Sequence, residues 1–170
     1  MANHLITVAT PVFGETFFTP YVHSLFQLQK ALHQRRWEMA YSTISYAQIA
    51  EARNYLLTHW FDKSRSTHLL FVDADMGYEP ELILDMIALN KPVVGVICTK
   101  RKLSLKRLIS LAEKKEKPER AIARAHDFIV RPLRDRRPRT INGFIEVAGC
   151  GTGIMLIQRA AISAMLKAIP

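Results

Sequence analysis

The chain has 170 residues, 49% of them apolar, and a formal net charge of +9. That is enough chain for one domain with a real core, and no apolar run approaches the roughly 18 residues that span a bilayer. Two cysteines with no CxxC spacing argue against a disulfide scaffold, and Met1-Ala2-Asn3-His4 shows no basic region followed by a long apolar core, so no signal peptide is expected.

Cys98 and Cys150 each border an apolar run, which predicts buried thiols in a reducing compartment and a cytoplasmic protein. The charge is unevenly spread. From Lys100 to Arg139 there are fifteen Lys and Arg against five Asp and Glu, while the rest of the chain holds nine against ten. A charge excess confined to one segment points to a partner.

In chain order, Leu5 to Ala9 predicts a first strand, closed by a Pro- and Gly-punctuated loop from Thr10 to Thr16. Thr19 before Pro20 predicts a helix start with Thr19 as cap, and Tyr21, Leu25, Leu28 and Leu32 form its buried stripe. Trp37 to Ile44 predicts a second strand. Ala47 to Phe61 predicts a second helix with Ile49, Ala52, Leu56 and Trp60 on one face. His68 to Val72 is a short apolar run suited to a strand buried on both faces, and His68 is expected to be structural. Pro80 to Leu89 follows as a short helix, and Val93 to Cys98 as another buried strand.

The alternation predicts an α/β fold, a Rossmann-like, mostly parallel central sheet with helices on both faces. Residues 1–170 are expected to form one domain, with 100–140 as a basic irregular insertion. Leu103, Leu105, Leu108, Ile109 and Leu111 suggest helical pieces there, and Arg131 to Arg139 an irregular surface loop. Phe144 to Ala148 predicts a strand, Gly149 to Gly153 a tight passage, Ile154 to Ile157 a strand, and Ala160 to Ile169 a closing helix.

The chemistry concentrates at the end of the His68–Val72 run, where Asp73 and Asp75 follow. Parallel sheets bind ligands beyond the carboxyl ends of their strands. In extended chain, residues i and i+2 face the same side, about 6–7 Å apart. Two carboxylates aimed at one spot repel unless a cation or proton lies between them. Mg²⁺ commonly takes one or two carboxylates and completes its shell with phosphates and water. Asp73 and Asp75 are therefore candidate metal ligands at a metal–diphosphate site; a solvated turn is the plainer alternative. Pro11 and Phe13, on the same sheet edge, could hold a nucleobase, or be an ordinary turn with a core Phe. Arg53 could pair a carboxylate or phosphate, and Asn54 lies beside it off the apolar face. Lys100 and Arg101 follow a strand end and would suit a diphosphate, or solubility. Gly149, Gly151 and Gly153 do not spell a dinucleotide fingerprint, and no P-loop, HExxH or GxSxG occurs.

Taken together, Thr7 to Phe13, Ala52-Arg53-Asn54, Leu69 to Met76 and Gly151 to Ile157 resemble a glycosyltransferase of the GT-A fold, close to the family 2 type. The resemblance implies a nucleotide-diphosphate sugar as donor, bound across the carboxyl edge of the sheet, and transfer to a glycan, lipid or other acceptor with inversion. It implies Mn²⁺ or Mg²⁺ held by Asp75 with Asp73 assisting, Pro11 and Phe13 bordering the nucleotide, and Arg53 near it. Such enzymes usually continue into an acidic motif that supplies the catalytic base and part of the acceptor site. No convincing counterpart is seen here, and Glu146 is the weak candidate for the base. A catalytically inactive or truncated nucleotide-sugar-binding module is thus the second reading. The basic 100–139 segment could meet an anionic membrane surface at the inner face, or an acidic glycan. A nucleic-acid-binding protein is disfavoured because no nucleic-acid motif and little aromatic interleaving accompany that charge. Another nucleotide-using α/β enzyme, such as a nucleotidyltransferase, stays open.

Overall fold

A computed structural model describes residues 4–168, with the side chain of Arg101 outside the described set. The chain runs β1 (Leu5–Val12), α1 (Thr19–Gln34), β2 (Glu38–Ser45), α2 (Ile49–Lys63), β3 (His68–Val72), α3 (Pro80–Ala88) and β4 (Val93–Gly95). It continues through β5 (Thr99–Leu103), α4 (Leu105–Glu113), α5 (Pro118–Ala125), β6 (His126–Phe128), β7 (Val130–Arg131), β8 (Thr140–Ile141), β9 (Phe144–Ile145) and β10 (Gly149–Cys150). It closes with β11 (Ile154–Gln158) and α6 (Arg159–Ala168). Two compact units result, one from Met1–Gly95 with Thr152–Pro170, the other Val96–Gly151.

The first unit is built on a five-stranded mixed sheet in the order β2-β1-β3-β11-β4. β1 pairs in parallel with β2 and β3. β11 is antiparallel to both β3 and β4. The parallel expectation therefore holds at the core of the sheet and fails at one strand. Ile154 to Ile157 is an apolar run, which fixes burial but carries no information on direction.

Register sorts the core onto two faces. Ala9, Leu69, Phe71 and Ile157 share one face and pack with Leu56 and Trp60 of α2, with Ala161 and Ile162 of α6 against them. α1 and α3 contact each other and reach the sheet at β2 and β11. On α1 the buried stripe is Tyr21, Ser24, Leu28 and Leu32. Ser24 replaces the expected Leu25 because its hydroxyl accepts from the Tyr78 backbone N–H at 2.7 Å. Buried polar groups are tolerated when so bonded.

Several expected boundaries move for physical reasons. β1 extends through Pro11, which pairs with Ile44 of β2. Its ladder with β3 ends at Ala9↔Phe71, so beyond that point a proline removes no hydrogen bond on that side. Thr19 is inside α1, and Phe18 takes the cap position without a side-chain bond. Pro20 in the first turn pre-sets the helical φ. Ile49 is exposed, and α2 buries Ala52, Leu56 and Trp60. β4 stops at Gly95 rather than Cys98, and Val93 is 47% exposed on a strand that borders the sheet, paired with β11 on its inner side. Phe144 to Ala148 keeps strand pairing only at Phe144–Ile145. Cys98 and Cys150 are half-buried rather than buried. His68 is buried, edge-on to His4, and burial lowers its pKa.

The second unit is more regular than the expected irregular insertion. α4 and α5 pack together, closed by buried Leu111, Ala121 and Ala125. Ser104 caps α4 by accepting from the Arg107 N–H. Arg107 donates to the carbonyls of Arg124 and His126 and to Asp127, tying the start of α4 to the end of α5. β5–β6, β7–β10 and β8–β9 are short antiparallel pairs.

Candidate functional site

The site lies in the first unit, at the carboxyl end of β3. All five β3 residues are buried. Asp73 is the first residue past the strand, and its N–H donates to the Gly153 carbonyl at 2.9 Å, at the start of β11. The Met76 N–H then donates to the Asp73 carbonyl at 3.0 Å, closing a turn that contains Asp75. The two carboxylates are thus not in the extended i, i+2 arrangement expected. The strand ends at Val72, and the turn sets their separation instead.

The turn is held from the other side by α1. The Phe18 N–H donates to the Ala74 carbonyl at 3.0 Å, and Tyr78 is tied to Ser24. A Cβ added at Gly77 would meet Pro20 Cβ at 3.0 Å, so a side chain there would crowd the close approach of turn and helix.

Arg53 reaches the site from α2. Its guanidinium donates to Asp73 Oδ1 at 2.6 Å, with the two side chains 20% and 30% exposed. Arg53 Nε is buried without a hydrogen-bond partner. One turn of helix spacing explains the placement. With Ala52 and Leu56 buried, Arg53 falls beside the core stripe and Asn54 is carried into solvent.

The ends of β1 and β2 are paired at Val12↔Ser45. The next residues, Phe13 and Tyr46, are both exposed, and the Tyr46 N–H donates to the Val12 carbonyl. Phe13 is 78% exposed, so it is not the core Phe of an ordinary turn. Pro11 is buried within the strand and presents no loop surface. Glu51 hydrogen-bonds the Tyr46 hydroxyl and raises its pKa. Tyr46 is not singled out by the sequence reading; an aromatic just past a strand end is the signal that could find it.

The remaining candidates belong to the second unit. Lys100 is an exposed residue of β5, and the Arg101 side chain lies outside the described residues. Glu146 follows β9 and is engaged by Arg136 at the surface.

Among the described residues no group of three or more His, Cys, Asp or Glu side chains could hold a metal. Asp73 and Asp75 supply two hard oxygen donors in one turn. That donor set fits a cation shared with a diphosphate, which needs only one or two carboxylates, and does not fit an all-protein cage.

No family model matches the chain, and no curated protein matches it in sequence. The crystal structure of A197 from STIV is similar in fold, with a TM-score of 0.50 and 15% identity. The match covers 91% of this chain and 65% of that one, so the chain spans just under two thirds of its length. At that identity the likeness speaks to the fold alone.

Proposed function

We propose that this chain is the donor-binding domain of a GT-A, family 2-like glycosyltransferase that takes a nucleotide-diphosphate sugar with Mn²⁺ or Mg²⁺. The observation that carries the reading is the Arg53–Asp73 pair, with Asp75 in the same turn, at the carboxyl end of the central strand. Ligands of open α/β sheets bind at that edge. Arg53 orients Asp73, and its Nε is buried without a hydrogen-bond partner. Asp73 and Asp75 would hold the cation. When bound, the cation neutralises the diphosphate leaving group as the glycosidic C–O bond breaks. Phe13 and Tyr46 offer exposed aromatic surface past the ends of β1 and β2, suited to a nucleobase.

One observation favours the second reading, a nucleotide-sugar-binding module without turnover. Glu146, the candidate base, is engaged by Arg136. Calorimetry with a panel of nucleoside diphosphates and nucleotide sugars, in Mn²⁺ and in EDTA, tests the donor site. Metal-dependent binding of one nucleotide, lost in Asp75→Asn, is the expected result. Binding that ignores both metal and Asp75→Asn overturns it. Turnover of the bound sugar nucleotide then separates enzyme from module.

A further inference from the structure

The whole formal charge of the protein resides in the second unit. Val96–Gly151 holds fifteen Lys and Arg against six Asp and Glu, while the first unit holds nine of each. The same unit exposes large apolar side chains. On α4, Leu105 is 67% and Ile109 60% exposed, and on α5, Ile122 is 50% exposed. Leu105 and Ile109 are four residues apart and share one face of α4. The opposite side of that helix is already used, since Leu111 is buried and Arg107 is bonded to the end of α5. Among the described residues, Lys102, Lys106, Lys114 and Lys115 are exposed and form no ion pair.

Charge alone would suit any polyanion. Exposed aliphatic side chains flanked by unpaired lysines suit a narrower class. Nucleic acid rewards aromatic stacking and phosphate contacts, and α4 offers no aromatic. A helix with an apolar stripe bordered by lysines lies in the boundary layer of an anionic bilayer, apolar side chains inserted and ammonium groups among the headgroups. We propose that the α4–α5 face of the second unit docks on an anionic membrane surface, with Leu105, Ile109 and Ile122 inserted and Lys102 and Lys106 binding lipid headgroups. This inference is independent of the donor site in the first unit.

The test is flotation of the full chain with vesicles of phosphatidylcholine alone and of phosphatidylcholine mixed with phosphatidylserine. Binding is expected only with phosphatidylserine and should weaken with salt. Lys102→Glu with Lys106→Glu should lower the affinity by at least about fivefold per residue. Leu105→Ser with Ile109→Ser should lower it by roughly tenfold or more through lost apolar insertion, with the circular dichroism spectrum unchanged. As a readout that does not depend on a loss, Leu105→Trp should shift its emission to the blue on phosphatidylserine vesicles. Failure to float with phosphatidylserine overturns the proposal. So does an unshifted Trp, or binding that Leu105→Ser with Ile109→Ser leaves intact. Tighter binding to duplex DNA than to these vesicles, insensitive to the apolar pair, would assign the surface to nucleic acid and equally overturn it.

Discussion

Arg53 and Asp73, twenty residues apart in sequence, meet at 2.6 Å where α2 passes the carboxyl end of β3. The pair is partly shielded, so it falls between an exposed ion pair, worth little, and a buried one, costly to break. Arg53→Ala is expected to destabilise by about 1–2 kcal/mol in urea unfolding. Arg53→Ala combined with Asp73→Ala should cost less than the sum of the single changes. Strict additivity would mean that the contact contributes nothing to stability.

Arg159 links the first residue of α6 to the end of α2. Its guanidinium donates to the carbonyls of Trp60, Phe61, Ser64 and Ser66 at 2.8–3.0 Å and lies 4.5 Å over the Trp60 ring. A cation at a helix C-terminus also meets the favourable end of the dipole. Arg159→Ala should lower stability by about 2–3 kcal/mol. Arg159→Lys should recover only part of it, because an ammonium cannot reproduce the planar fork. Full recovery by lysine in thermal unfolding would reduce the role to simple charge.

The Tyr21 hydroxyl lies 2.6 Å from Thr10 Oγ1 and donates to Tyr41, joining α1 to β1 and β2. Tyr21→Phe leaves the buried Thr10 hydroxyl short of a partner and should cost about 1–3 kcal/mol. Thr10→Val with Tyr21→Phe should cost less than Tyr21→Phe alone.

Burial raises the pKa of both Tyr21 and Tyr78 far above the ordinary value. Above the ordinary tyrosine pKa, the unfolded chain loses these protons and the folded chain keeps them. The unfolded state then binds fewer protons, so stability is complete below about pH 10 and declines as pH rises. Replacing both tyrosines by phenylalanine should flatten that alkaline decline, whatever it does to stability at neutral pH. Denaturant titrations on both sides of the tyrosine pKa read this out.

What the sequence determined by itself was the content of the first unit. Apolar runs and helical stripes located β1, α1, β2, α2, β3, α3 and β11 to within a few residues, because burial is written into residue type and period. It also put Asp73 at a strand end and gathered the charge between Lys100 and Arg139. Tertiary structure alone decided the rest. The reversal of β11 and its place between β3 and β4 depend on long-range pairing, which leaves no periodic mark. The turn that takes Asp75 out of the extended chain depends on hydrogen bonds of Phe18 and Gly153 to its flanks. Arg53 was legible as a residue that could pair a carboxylate, but which carboxylate was decided by the tertiary fold, where Ala52 and Leu56 face the core and fix the helix rotation that delivers it to Asp73. In the basic 100–140 segment the apolar residues from Leu103 to Leu111 suggested helix where α4 forms, but α5 was hidden, since it buries only the small Ala121 and Ala125, too little to make a clear apolar stripe.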